Sequence, residues 1–163
     1  MIRMIEIDEF ELVREIIRNA DFLRKRSWPK PLCDMAVDGL SQKVWTGLGI
    51  FNVSGELISY LDYKVVSADL VEVGICVTRE DYRRQGLMKI LLCYLIEQYS
   101  KFEIKIGTYE HNQPMIGCIQ ETGFLEDFRV LNDRVDGSAS IHYKRKGDNV
   151  GNFRCCLAGN ETG

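Results

Sequence analysis

Histidine, long apolar runs and charge of one sign are scarce in this chain, and each scarcity argues against a class of function. Only His111 and His142 occur in the 163 residues, and none of the six cysteines forms a C-x-x-C pair, so a Cys/His metal site lacks ligands at workable spacing. The cysteines are Cys33, Cys76, Cys93, Cys118, Cys155 and Cys156, in a chain that is 45% hydrophobic. A core of that content needs no disulfide staples, so they read as reduced thiols, mostly buried. The longest apolar run, Ile90 to Ile96, falls far short of the roughly 18 residues that a membrane span requires. Arg3 mixed with Glu6, Asp8 and Glu9 is unlike a secretory leader. The expectation is a soluble, cytoplasmic protein with no metal and no membrane partner. The 21 basic and 24 acidic residues are interspersed and give a net charge of -3. Arg24-Lys25-Arg26 is too short for a phosphate-binding face and reads as a solvated helix end, so nucleic acid is not an expected partner.

What is present is alternation. The length suits one domain, assigned to residues 1–146, followed by a Gly-, Asn- and Thr-containing segment at 147–163 that reads as a weakly ordered tail. No internal repeat is visible. Met1 to Ile7 alternates as a strand, and Phe10, Leu12, Val13, Ile16 and Ile17 follow at helical spacing, with Asp8 as the expected N-cap and Glu11 three positions on. A second helical hint spans Ala20 to Arg26 and stops at Trp28-Pro29-Lys30-Pro31. Val44 to Phe51 and Leu57 to Val65 read as strands joined by a glycine-containing hairpin turn, and Leu70 to Val77 as the next strand. Gly86 to Tyr99 is an apolar helix, Phe102 to Thr108 a strand, and Pro114 to Thr122 a short helix closed by Gly123. Phe124 to Leu131 and Ser138 to Arg145 complete the strands. This order predicts an α+β fold on a mixed sheet.

The segment Val71 to Leu92 carries the chemistry. An apolar strand runs into Arg83-Arg84-Gln85-Gly86-Leu87-Met88 and then into the apolar helix. Glycine at such a junction lets backbone N–H groups approach an anion, and two arginines add positive charge where the helix dipole already favours one. The combination reads as a phosphate cradle. Gly86 is not followed by the Lys-Ser/Thr of a P-loop, which argues against a nucleotide kinase. On the strand itself, Val71, Val73, Ile75 and Val77 are expected on one core-facing side. Glu72, Gly74 and Cys76 fall on the other, with Gly74 leaving room for a ligand.

Arg83-x-x-Gly86-x-Met88 resembles the Arg/Gln-x-x-Gly-x-Gly/Ala pyrophosphate loop of the GNAT acetyltransferase superfamily, with Met88 in place of the final Gly or Ala. Asn112-Gln113-Pro114 leading to Gly123-Phe124 is similar to that family's asparagine-led segment, and Met1 to Ile17 resembles its opening strand, acidic turn and first helix. The resemblance implies a mixed, mostly antiparallel central sheet flanked by helices, and acetyl-CoA as cosubstrate. It implies an N-acetyltransferase that passes an acetyl group to a primary amine, on a small molecule or peptide, by direct attack. It assigns the phosphates to Arg83, Arg84, Gln85, Gly86, Leu87 and Met88, and the pantetheine arm to the backbone of Cys76, Val77 and Thr78. For that edge to receive pantetheine, residues 70–77 and 102–108 have to splay apart. Asn112 either contacts the cofactor or caps the helix after it.

Glu72 lies eleven residues before Arg83, where the family's histone-acetylating branch has its general base. A carboxylate raised by burial could take the proton that an ammonium must lose before attack. The alternative for Glu72 is an exposed or ion-paired side chain. The family's usual acid, a tyrosine seven residues after the asparagine, is replaced by Ile119, and Tyr109, His111 and Tyr143 are the substitutes. The acceptor is expected over residues 25–43 and 57–65, where Trp28, Asp34, Asp38, Asp62 and Tyr63 could contact an amine. The alternative function is a CoA-binding regulatory or interaction domain with little turnover, suggested by Met88 and Ile119. Self-association as a homodimer stays open.

Overall fold

The computed structural model describes residues 1–20, 31–134 and 136–147. Its strands are β1 (Ile2–Met4), β2 (Thr46–Phe51), β3 (Leu57–Ser67), β4 (Leu70–Thr78), β5 (Glu103–Tyr109), β6 (Leu125–Val130) and β7 (Ser140–Arg145). They form one seven-stranded sheet in the order β1-β2-β3-β4-β5-β7-β6. Every neighbouring pair is antiparallel except β4 and β5, which run parallel because the α3 crossover joins them. The helices are α1 (Phe10–Arg18), α2 (Leu32–Ser41), α3 (Leu87–Gln98) and α4 (Gln113–Glu121). The α+β expectation with a mixed sheet holds. The helical hint over residues 20–26 and the Trp28-Pro29-Lys30-Pro31 turn fall almost wholly outside the described residues, as does the tail beyond Gly147.

Two apolar layers sandwich the sheet. On one face, Leu91, Leu92, Leu95 and Ile96 of α3 and Ile119 of α4 pack against Leu61, Tyr63, Val71, Val73, Ile104, Ile106 and Tyr143. On the other, Val13, Ile16 and Ile17 of α1 and Cys33, Ala36 and Leu40 of α2 pack against Phe51, Tyr60 and Val77. Helix α2 departs from the sequence expectation, which left these residues without a helix. Its buried Cys33, Ala36 and Leu40 recur at helical spacing, and Arg14 of α1 reaches Asp34 at 3.3 Å. The start of α1 is also capped differently than expected. Asp8 is not the cap; instead the Glu9 carboxylate accepts the Glu6 N–H at 2.9 Å and pairs with Arg3.

Strand β4 corrects a second expectation. Tyr63 pairs with Val73 and Leu61 with Cys76, so Gly74 and Ile75 together oppose Asp62. This β-bulge shifts the side-chain alternation by one residue. Val71 and Val73 therefore face the α3 core, while Ile75 and Val77 face the α1–α2 core; the four do not share one side. Cys33, Cys76 and Cys118 are free thiols. Cys93 is disulfide-bonded, so the expectation of reduced thiols fails there.

Candidate active site

The β4–α3 junction has the backbone that the sequence pattern calls for. Gly86 is the N-cap of α3 at φ 74°, in the left-handed region, and an added Cβ there would meet nothing within 4 Å. Glycine is thus required by the dihedral and not by crowding. Arg84 is also left-handed, at φ 64°, a conformation that costs a non-glycine residue roughly 1–2 kcal/mol. The first bond of the helix runs from the Ile90 N–H to the Gly86 carbonyl at 3.0 Å. An α-helix leaves the N–H groups of its first turn without intrahelical acceptors, here those of Leu87 and Met88. Arg83, Arg84 and Gln85 are exposed around them, and the Arg83 Nε donates to the Thr78 carbonyl at 3.3 Å. The Met88 side chain turns into the α3 core, away from this rim.

Beside the junction the sheet opens. β4 and β5 pair only at Leu70–Glu103, Val71–Ile104 and Glu72–Lys105. β5 remains paired with β7 as far as Tyr109, so β4 leaves its neighbour after Glu72. The edge that includes Cys76, Val77 and Thr78 is the one exposed by this parting. Thr78 and Glu72 are six residues apart, roughly 20 Å of extended chain.

Two carboxylates lie on the α1–α2 side of that opening, and they differ. Glu72 is 46% exposed on its side chain and accepts from Lys64 Nζ at 2.9 Å, so it is the ion-paired alternative of the sequence reading and not a buried group. Lys64 also sits 4.7 Å from the Trp45 ring centroid. Asp62 is 3% exposed. Its Oδ1 accepts the bulge N–H of Ile75 at 2.7 Å and its Oδ2 accepts the Tyr60 hydroxyl at 3.0 Å. Burial pushes Asp62 up to about 6, against the opposing pull of those two hydrogen bonds. The room beside Gly74 that the sequence suggested for a ligand is taken by these groups. A Cβ on Gly74 would come 2.3 Å from Asp62 Oδ1 and 2.8 Å from the Trp45 ring. Burial, with help from Asp62 and Cys118, also raises the Cys76 thiol well above its ordinary value, so it is a poor nucleophile.

The remaining candidates scatter. Asn112 does not cap α4 through its side chain; its Nδ2 donates to Thr108 Oγ1 at 3.1 Å. Tyr109, at the end of β5, lies under Arg134 at 5.4 Å. Tyr143 is 2% exposed within the α3 core, and burial raises its hydroxyl. Ile119, in the usual acid position, is fully buried in the same core. Among the acceptor candidates, Tyr63 faces that core and accepts from the Tyr99 hydroxyl at 3.3 Å, Asp34 is tied to Arg14, and Trp28 lies outside the described residues. Trp45 and Lys64 were not picked out from the sequence. The signal for this face was the charged pair Asp62 and Lys64 inside the apolar run of β3.

No helix among the described residues is long and apolar enough to cross a membrane. Comparison with curated protein sequences gives no match. Among solved structures, the ribosomal-protein-S18-alanine N-acetyltransferase of Escherichia coli is similar over 93% of this chain and 96% of its own, with a TM-score of 0.77 and 19% identity. A spermidine N-acetyltransferase mutant from Vibrio cholerae superposes with a TM-score of 0.70 at 11% identity, over 88% of this chain and 93% of its own. Arabidopsis thaliana NAA60, in complex with a bisubstrate analogue, gives 0.72 at 17% identity over 91% and 99%. At these identities the likeness concerns the fold. The sequence itself matches the Acetyltransferase (GNAT) family over residues 10–124, and with the seven-stranded sheet and the glycine-capped junction already described, the chain belongs to the GNAT acetyltransferase family.

Proposed function

We propose that this protein is an acetyl-CoA-dependent N-acetyltransferase acting on a primary amine, with Glu72 as the proton acceptor. The observation that carries the reading is the end of the β4–β5 ladder at Glu72–Lys105, beside the Arg83–Gly86 junction. The residues present suit the cofactor. The N–H groups from Gly86 to Lys89, with Arg83, Arg84 and Gln85, would hold its phosphates, while Leu87 and Met88 anchor the helix in the core. The edge of Cys76, Val77 and Thr78 would bond the pantetheine amides as an added strand does, and Asn112 would contact the same arm. Acetyl-CoA supplies an activated acyl thioester.

Roughly 20 Å of extended β4 between Thr78 and Glu72 is comparable to the reach of a pantetheine arm, which would bring the thioester towards Glu72 and the bulge. A neutral amine arriving on the α1–α2 side attacks the carbonyl carbon and gives its proton to Glu72. A backbone N–H of the β4 edge holds the oxyanion until the C–S bond breaks. The departing thiolate needs little help from an acid. Tyr109, half-exposed at the end of β5, is better placed to protonate it than the buried Tyr143. The setting we infer is cytoplasmic.

The test is a panel of amines that includes spermidine and a peptide with an N-terminal alanine, assayed with the wild type and with Glu72→Gln. The expected result is turnover of at least one amine, with kcat/KM lowered about 10²-fold in the variant and acetyl-CoA affinity kept. Equal rates would move the proton to another group. Binding without acetylation of any amine would favour a CoA-binding module.

A further inference from the structure

We propose that Lys64 is itself an acetyl acceptor, modified in cis by the acyl-CoA bound to its own chain. The inference rests on the acyl-CoA reading above. Lys64 stands opposite Glu72 on β3, and Glu72 in turn opposes Lys105 at the last rung before β4 and β5 part. The Lys64 amine is therefore beside the closed end of the opening towards which the thioester would point. Two partners hold it there: the Glu72 carboxylate at 2.9 Å and the Trp45 ring, 4.7 Å to the centroid. A carboxylate and an aromatic face are the features that would select a free amine substrate at this position. Lys105, on the same rung, pairs with Glu103 and not with Glu72, while the pairs of Lys89 with Glu121 and Lys144 with Asp127 lie elsewhere.

The step balances without a further reagent. Lys64 Nζ, an ammonium in the ion pair, first releases one proton to solvent by way of Glu72; the neutral amine then forms a bond to the thioester carbonyl carbon and gives a second proton to the Glu72 carboxylate. The C–S bond breaks and CoA leaves as its thiolate, which takes up a proton from Tyr109 or water. The product is an amide at Nζ, a neutral group with no ion pair to Glu72. A nucleophile already fixed next to its electrophile reacts as though at very high concentration, which separates this lysine from those reached only by collision.

The purified chain is incubated with isotopically labelled acetyl-CoA, and each lysine is followed by peptide mass spectrometry. Calorimetry on the same preparation measures acetyl-CoA binding. Label at Lys64 is expected to appear at least tenfold faster than at the exposed Lys101 and Lys146, at a rate independent of protein concentration. A Lys64→Arg variant, which keeps a cation opposite Glu72, is expected to remain at its unmodified intact mass over the same period. Labelling of Lys64 no faster than Lys101, or at a rate that rises with protein concentration, in a protein that binds acetyl-CoA would overturn this inference alone. Absence of acetyl-CoA binding would overturn it together with the reading it rests on.

Discussion

Asp62 gives this fold a pH-dependent contribution opposite in sign to that of Glu9 and Asp136, whose hydrogen bonds from Arg3 and Ser138 hold them below their ordinary values. Burial raises its carboxyl to about 6, opposed by the Ile75 N–H and the Tyr60 hydroxyl. The folded chain therefore binds this proton below about pH 6, whereas an unfolded aspartate binds it only near its ordinary value of about 3.9. Between those values the folded state holds more protons, so this group's contribution to stability falls as the pH rises and is least above about pH 6. Moving this carboxyl from 3.8 to about 6 corresponds to about 3 kcal/mol. In Asp62→Asn, Oδ1 still accepts the Ile75 N–H and no carboxylate titrates. Denaturant titrations should favour the variant over wild type more at about pH 7.5 than at about pH 4.5. Parallel curves would mean that Asp62 does not carry this buried proton.

Strand β4 and helix α3 each depend on one glycine for opposite reasons. Gly74→Ala would drive a methyl into the Asp62 carboxylate and the Trp45 ring at 2.3 and 2.8 Å, an overpacking expected to cost about 1–3 kcal/mol and to loosen the bulge. Gly86→Ala meets nothing within 4 Å and pays only for its positive φ, about 1 kcal/mol. Thermal or urea unfolding should rank Gly74→Ala as the more destabilised; the reverse order would show that the bulge packing is not as described. The order of elements was legible because the alternation from Val71 to Val77 and the helical spacing in α1 and α3 are local signals. The bulge was not, because it is set by how β4 pairs with Asp62 across the ladder, while Val71, Val73, Ile75 and Val77 alternate without a break in the sequence. Helix α2 is not legible in the sequence because Pro29 and Pro31 favour an extended chain, although Cys33, Ala36 and Leu40 carry the helical period. The phosphate cradle was readable from Arg83 and Gly86. The partners of Glu72 and Asp62 were not, since Lys64 and the Ile75 N–H reach them only through strand register.

For the whole molecule, the arrangement brings three separate parts of the chain to one opening: the β4 edge, the α3 N-terminus and the face between α1–α2 and β3. Acetyl-CoA binding there should raise the free energy of unfolding by about 2.7 kcal/mol at a concentration 100 times its dissociation constant. The opening itself is tested most directly by hydrogen exchange, measured with and without saturating acetyl-CoA. Slowed exchange is expected at the amides of Cys76 to Thr78 and of Gly86 to Lys89, with the β6–β7 hairpin unchanged. Slowed exchange confined to other elements, or no difference anywhere at concentrations that saturate binding, would contradict the assignment of acyl-CoA to the gap between β4 and β5.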